Sequence, residues 1–338
     1  MSGPLALFLA LAGSFALSWL LTGRVLAYLR RKAILDHPND RSSHSIPTPR
    51  GGGWGVMLTL LPVWTLIAMT ADHPLRALPI LAGTVALMAV SWMDDRRGLG
   101  PAPRFLAQIA AVVAGLTALP GGALPGDGLV FQGLLPFWAD RLVAAVGWLW
   151  FVNLFNFMDG IDGLAGSEAA SIGAGLALVA TLGALDPALT LYGLAAAGAA
   201  MGFLMWNWHP AKLFMGDVGS VPLGFTLGWL LLALAASGLW VAALLIPAYF
   251  LADATFTLLR RLAEGKKVWQ AHREHFYQKA TQRGRTHAQV VRLVLALNAT
   301  LLLLAVASLA LGWAVLPAGV AAVVLLLALL ARPVRAAA

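Results

Sequence analysis

RLVAAVGWLWFVNLFNFMDGIDG, residues 141–163, decides the fold. Up to Met158 the stretch is apolar except for Arg141 and two asparagines, which is the composition of a helix crossing lipid. It then closes on Asn153-Leu-Phe-Asn156-Phe-Met-Asp159-Gly160-Ile-Asp162-Gly163, a dense group of amides and carboxylates. A helix that is oily along its length and rich in oxygen ligands at one end predicts a membrane protein with its chemistry at the membrane surface.

The whole chain agrees. Of 338 residues, 60% are apolar and 11% are charged, whereas a soluble domain carries about 25% charged residues. Cysteine is absent, which excludes thiol nucleophiles, thiolate metal sites and disulfides. The net charge of +8 reads as lysines and arginines held at one membrane face rather than as a nucleic-acid surface. The first apolar run, Leu5 to Tyr28, is too long for a signal peptide and predicts a retained helix.

Eleven runs are long enough to span: 4–29, 52–71, 75–93, 103–120, 141–158, 167–185, 188–206, 219–237, 239–259, 289–312 and 315–331. The expected fold is all-α and polytopic, a single membrane domain over 1–338 with the N-terminus outside and the C-terminus cytoplasmic. That orientation puts 21 of the 23 Lys and Arg residues at the inner face and leaves only Arg76 and Arg141 outside. The outer segment 121–140, rich in Gly and Pro, reads as a hairpin or re-entrant turn.

Four polar clusters then fall on the same side. Asp94 and Asp95 end the third run; such a pair is costly at the interface unless a proton or cation satisfies it, and Arg96 and Arg97 offer a plainer pairing. Asn153, Asn156, Asp159 and Asp162 recur every three residues, so a continuing helix would align them in a drifting stripe. Gly160 and Gly163 would let backbone approach a ligand. A helix N-cap accounts for one Asp of this group, not for all four polar residues.

The third cluster is Asn207-Trp-His209-Pro-Ala-Lys212-Leu-Phe214-Met-Gly216-Asp217-Val-Gly219-Ser220. Asp217 between glycines suits Mg²⁺, which takes oxygen ligands and phosphate; Phe214 reads either as a stacking ring or as an ordinary apolar contact. The fourth cluster, 260–288, holds Arg260, Arg261, Lys266, Lys267, Arg273 and Lys279 with His272 and His275. Two histidines make a weak zinc site, and cations with imidazoles suit a diphosphate better. Lys266 and Lys267 read as plain inner-face charges; His37, His73 and His287 attract no functional reading, and His209 stays open.

These segments together resemble the polyprenyl-phosphate N-acetylhexosamine-1-phosphate transferase family. The resemblance rests on Asp94-Asp95, the Asn-x-x-Asn-x-x-Asp-Gly-x-Asp-Gly pattern at 153–163 and the Asn-x-x-Pro-Ala-x-x-Phe-Met-Gly-Asp-x-Gly-Ser pattern at 207–220. The loop from Asp36 to Gly53 is similar as well, so it covers about 36–280 in order. It implies Mg²⁺ on Asn156 and Asp217, with Asp94 or Asp95 acting on the lipid phosphate. Asp159 would help hold the site, and Asp162 with Phe214 would contact uracil. His275 and Arg273 would hold phosphate, with Arg41 and His44 in the same pocket and further substrate contacts from Asn153, Asn207 and His272. The implied partners are a UDP-sugar, undecaprenyl phosphate and membrane lipid, with no nucleic acid; a homodimer is compatible. The implied location is the bacterial cytoplasmic membrane.

One departure narrows the resemblance. Peptidoglycan-precursor members carry consecutive histidines where this chain reads His272-Arg-Glu-His275-Phe-Tyr277-Gln278, which looks more like members that start O-antigen or related surface glycans. A phospho-N-acetylmuramoyl-pentapeptide transferase is the alternative within the family. Outside it, an intramembrane prenyltransferase would need Asp-x-x-x-Asp motifs that Asp94-Asp95 and Asp217 do not extend into. A secondary transporter would place its polar groups near the midplane and show repeats. The one-sided clusters favour the transferase.

Overall fold

A computed structural model describes residues 3–36, 46–121, 128–267 and 272–333; Arg41 and His44 lie outside these. The described chain is almost wholly helical. In order come α1 (Pro4–Arg31), α2 (Gly53–Met69), α3 (Leu78–Arg97), α4 (Pro101–Gly115), α5 (Phe137–Phe157) and α6 (Leu164–Leu182). They are followed by α7 (Pro187–Asn207), α8 (Asp217–Leu245), α9 (Ala248–Ala263), α10 (Phe276–Gln282), α11 (His287–Leu311) and α12 (Leu316–Leu330). A two-residue antiparallel pair, β1 (Leu35–Asp36) with β2 (Thr48–Pro49), closes the loop between α1 and α2.

Among the described residues, seven helical stretches are long and apolar enough to cross a membrane, against eleven runs expected from sequence. Part of the difference is merging, because α11 and α12 form one 44-residue stretch. Part is length, since α2 has 17 residues and α9 has 16, and α5, with 21 residues, is not among the seven. The run 239–259 is not one helix. Gly238 takes a left-handed φ of 91° and kinks α8, and Pro247 interrupts the chain before α9 begins.

Helix ends follow from local chemistry. α3 stops at Gly98, whose left-handed backbone (φ 64°) lets its N–H bond the Asp94 carbonyl at 2.8 Å. Proline opens α4 and α7, where its missing N–H is harmless. Asp186 caps α7 by accepting from the Ala188 N–H, and Thr286 and Gln289 form a reciprocal capping box on α11. At the far end, buried Asp140 accepts from the Val130 and Phe131 N–H groups and pairs with Arg141 at 3.0 Å, fixing the described part of the segment before α5.

The interior consists of α6, α7 and α8, which are apolar on all sides and mostly buried, while α1, α3, α4 and α12 face outward. Small residues let these helices touch. α6 and α7 meet through Gly173 and Gly193, and Ser18 of α1 donates to the Ala199 carbonyl of α7 at 2.7 Å. Another tight crossing joins the first turns of α2 and α8. A Cβ on Gly53 would lie 2.2 Å from the Gly219 Cα, and one on Gly219 would lie 2.5 Å from the Gly53 Cα.

That crossing leaves no room for even a methyl group. Gly219→Ala should destabilise the protein by about 1–3 kcal/mol through overpacking, seen as a fall in thermal midpoint in detergent. Gly147→Ala, where nothing lies within 4 Å, should instead hold the midpoint or raise it, because alanine favours helix.

Candidate active site

The Gly53–Gly219 crossing brings Arg50 to Asp217. The Gly53 N–H donates to the Met215 carbonyl at 2.9 Å, the Gly51 and Gly52 N–H groups donate to the Phe214 carbonyl, and the Phe214 N–H donates to Pro49 at 2.8 Å. The backbones on either side of Arg50 and before Asp217 are thus stitched together. Arg50 Nη2 then lies 2.5 Å from Asp217 Oδ1 and 4.0 Å from Asp95. Burial alone would lower the Arg50 pKa, but Asp217, Asp95, Asp36 and Asp159 hold it above its usual value.

A second arginine enters from α4. Arg104 pairs with Asp94 and lies 3.6 Å from the other oxygen of Asp217. Neither arginine was assigned a role from sequence, although each is a cation within one or two turns of a helix end that carries or faces a carboxylate. Asn156 on α5 donates to Ser220 Oγ at 2.7 Å and lies 3.3 Å from Asp217 Oδ1. One turn earlier, Asn153 bonds Gln108 of α4 at 2.9 Å. Asn153, Asn156, Arg104, Gln108 and Asp217 line a cavity of about 40 Å³, enough for an ion or water.

The expected stripe of four oxygen ligands is realised only in its first half. α5 ends at Phe157, so Asn153 and Asn156 share a helix face while Asp159 and Asp162 lie on the following loop. Gly160 shows why the helix yields there: a Cβ would lie 2.1 Å from the Tyr277 hydroxyl, which donates to the Phe157 carbonyl. Asp159 stays with the Arg50–Asp217 group. Burial, with Asp217 adding to it and Arg50 opposing, pushes its pKa up to about 8.

Asp162 turns away to a separate cluster. Its Oδ2 takes His209 Nδ1 at 2.6 Å and the Ala211 N–H at 3.2 Å and lies 3.2 Å from His287 Nδ1, which accepts from the Asp162 N–H at 3.3 Å. Although burial would raise it, these hydrogen bonds lower the Asp162 pKa below the usual carboxylate range. All three contacts use one oxygen, which leaves Oδ1 for a ligand. Sequence reasoning passed over His287 because it lies 125 residues along the chain. Asn207 is buried and uses both ends of its amide on the protein, accepting from the Gly163 N–H and donating to the Leu213 carbonyl, each at 2.9 Å. It pins the loops of the second and third motifs together. Phe214 is half-buried, and its backbone bonds Pro49, Gly51 and Gly52.

The fourth cluster is built around two acids. Buried Asp253 of α9 accepts from His275 Nδ1 at 3.2 Å, from the Phe276 and Tyr277 N–H groups, and from Tyr249 and Thr257. His275 is 3% exposed and caps α10. His272 stacks on it at 4.9 Å, and burial, His275 and Arg261 lower its pKa to about 4. Glu274 gathers Arg260 at 3.7 Å, Lys266 at 3.0 Å and Arg261. Several of the cations expected to face phosphate are therefore engaged with this glutamate. Arg273 is half-buried on the same loop, and its carbonyl accepts from Gln282.

The donor set around Asp217 fits a hard divalent cation. Four carboxylates, Asp94, Asp95, Asp159 and Asp217, face two guanidinium groups, and the cavity beside Asp217 brings Gln108, Asn153, Asn156 and Arg104 together with Leu87, Val90, Phe157 and Val221. Asp162, His209 and His287 form a second group whose ligand atoms lie within 4.8 Å of one another.

Residues 77–235 match the family model described as Glycosyl transferase family 4. A phospho-N-acetylmuramoyl-pentapeptide-transferase of Synechococcus sp. (strain JA-3-3Ab) is 34% identical over 88% of both chains. Another from Synechococcus sp. (strain RCC307) is 36% identical over 76% of this chain and 74% of its own. A probable undecaprenyl-phosphate N-acetylglucosaminyl 1-phosphate transferase of Bacillus subtilis is 26% identical over 83% of this chain and 80% of its own. Matching over most of their length, with the motifs that these comparisons span gathered around Asp217 and Asp162, the chain belongs to glycosyl transferase family 4, the polyprenyl-phosphate sugar-1-phosphate transferases.

Proposed function

We propose that this enzyme transfers an N-acetylhexosamine 1-phosphate of the GlcNAc type from its UDP derivative to undecaprenyl phosphate. UMP is released, and the product starts a lipid-linked surface glycan of the O-antigen type. The reaction is assigned to the cytoplasmic face of the bacterial inner membrane, with eleven spans and the N-terminus outside. The observation that carries the reading is the meeting of Arg50, Asp94, Asp95, Arg104, Asn156 and Asp217 at one end of the bundle.

In this reading a lipid phosphate oxygen attacks the phosphorus bonded to the sugar. A new P–O bond forms, the bond to the UMP oxygen breaks, and UMP carries that oxygen away. Such phosphoryl transfer needs alignment and charge compensation above all. Asp94 and Asp95, one at each arginine, orient the lipid phosphate and accept any proton it carries. Arg50 and Arg104 balance charge on the diphosphate. Asp217 and Asn156 would hold Mg²⁺, which would neutralise charge on the diphosphate.

Asp162 would present Oδ1 to the N–H of uracil, with Phe214 against the ring, while His209 and His287 fix Oδ2. His272 and Arg273 are assigned to the phosphate side, with Arg41 and His44. His275 acts by seating α10 under Gly160, and Asn153 and Asn207 act by holding the loops. The isoprenoid has a path as well. An apolar groove of about 490 Å³ runs between α5, α8 and α9, lined by Trp150, Phe151, Leu231, Leu244 and Leu251. Phe151 lies five residues before Asn156, about 8 Å along α5.

A second reading, a muramoyl-pentapeptide donor, is favoured by the higher identity to the two cyanobacterial relatives, 36% and 34% against 26%. The segment His272-Arg-Glu-His275, without consecutive histidines, favours the first. A donor panel decides. Purified protein with undecaprenyl phosphate and Mg²⁺ should release UMP from UDP-GlcNAc or a related sugar and not from UDP-muramoyl-pentapeptide. Chelation should stop release, and Asp217→Asn should slow it by at least about 100-fold. Release from the muramoyl donor alone would establish the second reading, and no UMP from any donor would sink both.

Asp162→Asn, His209→Ala and His287→Ala should each raise the KM for the donor about tenfold and leave kcat within a few-fold, because the interaction is made in ground and transition state alike. An unchanged KM in all three would remove Asp162 from the donor contacts.

Asp159 gives a pH signature. Its pKa rises from the ordinary value of 3.8 to about 8, so the folded protein keeps a proton that the unfolded chain releases. The sign follows: stability is greatest below about pH 4 for this group and declines as pH climbs toward 8. In cation-free buffer, thermal midpoints measured between pH 5 and 8 should fall less steeply in Asp159→Asn than in the parent.

A further inference from the structure

Arg24 sits where an arginine is expensive. The inner end of α1 carries Arg30, Arg31 and Lys32, but Arg24 lies seven residues earlier, about 10 Å deeper along the helix. It is exposed rather than turned into the bundle. A guanidinium at that depth needs either a reach to the interface or an anion beside it.

Its surroundings offer a place for the anion. Leu21, Arg24, Val25 and Tyr28 follow one another at spacings of three and four and share a face of α1. That face looks into a cleft of about 480 Å³ bounded by the start of α2 and the end of α3. The walls are apolar, with Leu58, Trp54 and Trp92 opposite α1, and the rim opens sideways, since Tyr28, Leu58 and Trp92 are exposed. Three cations, Arg24, Arg50 and Arg96, line it against one acid, Asp95. Arg50 is already paired with Asp217. Arg24 and Arg96 have no carboxylate partner among the described residues, and Arg96 rests over the Trp92 ring at 4.5 Å.

We propose that the cleft between α1, α2 and α3 binds one anionic phospholipid, its phosphodiester held by Arg24 and Arg96 and its chains lying along Leu21, Val25, Leu58 and Trp92. The excess positive charge selects an anion, the apolar walls select chains, and planar guanidinium groups suit phosphate oxygens. The separate groove between α5, α8 and α9 lacks such cations and takes an uncharged isoprenoid chain instead. A cleft open to the bilayer also exchanges with the surrounding anionic lipid, which the acceptor must compete against by mass action. The lipid head would lie beside Arg50, so the occupant adds negative charge next to the Arg50–Asp217 pair. The inference requires only that the chain sits in a bilayer, and it stands apart from the identity of the donor.

Binding can be read without turnover. Native mass spectrometry of the purified protein, titrated with equimolar dioleoyl-phosphatidylglycerol and dioleoyl-phosphatidylcholine, should show one phosphatidylglycerol retained in preference. Arg24→Gln and Arg96→Gln should each weaken that preference roughly fivefold, and Arg24→Lys should keep most of it. Arg285→Gln, at the α10–α11 turn, should leave it intact. In the unmutated protein, a photoreactive phosphatidylglycerol should label peptides containing Tyr28 or Trp92, a readout that does not depend on variants folding. Equal retention of the two lipids, or an undiminished preference in the Arg24→Gln, Arg96→Gln double variant with no label at these peptides, would overturn the proposal. So would Arg24-dependent retention of undecaprenyl phosphate that phosphatidylglycerol does not displace, which would make the cleft the acceptor's.

Discussion

Close contact between Gly53 and Gly219 is the constraint on which the polar end of the bundle depends. Two helices begin there with their backbones nearly touching, which only residues without side chains allow. The contact sets the loop carrying Arg50 directly against the loop carrying Asp217, and four backbone hydrogen bonds between 49–53 and 214–215 keep it there. It also aims two helix N-termini at one place. Each carries partial positive charge, although the N–H groups of Gly51, Gly52 and Gly53 are already spent on the Phe214 and Met215 carbonyls. The ends of α3 and α5 then supply carboxylates and amides.

Charge compensation explains why the arginines had to come from elsewhere in the chain. Asp94 and Asp95 are sequence neighbours and cannot relieve each other, and Arg96, the next side chain, turns onto Trp92 instead. Relief comes from Arg104 on the next helix and Arg50 from the loop before α2. With two cations for four acids, the cluster still lacks positive charge. Burial, with Asp217 adding to it, holds the Asp159 carboxyl above the usual carboxylate range.

Apolar runs and turn residues made the helices readable, because lipid demands continuous oily segments and leaves little ambiguity of period. The short connections misled at 239–259, where hydropathy is continuous but Gly238 and Pro247 bend and divide the chain. The motif at 153–163 was readable as a site and misread as a single stripe, because periodicity assumed a helix that the Tyr277 hydroxyl and Gly160 end after Phe157. Asp162 consequently belongs with His209 and His287, a grouping that no spacing could reveal since its members come from two separate loops and the first turn of α11. Arg50 and Arg104 were hidden for a related reason: among many inner-face cations, position along the chain does not tell a catalytic neighbour from a topological one.

The fourth cluster shows where motif reading and physical role part company. His275 stands in a segment rich in basic residues, so a phosphate contact was the natural expectation. Yet its ring is buried, it caps α10, and it shares Asp253 with two backbone N–H groups and two hydroxyls. A buried carboxylate with that many donors is satisfied only if all of them stay in place, so Asp253 fixes α10 as a unit. α10 in turn carries Tyr277, which occupies the space beside Gly160 and bonds the carbonyl at the end of α5. The chain of contacts from Asp253 to Tyr277 to Phe157 therefore decides where α5 stops. Where α5 stops decides that Asp159 stays with Arg50 and Asp217 while Asp162 reaches the histidines. His275 thus acts on two carboxylates through the seating of α10.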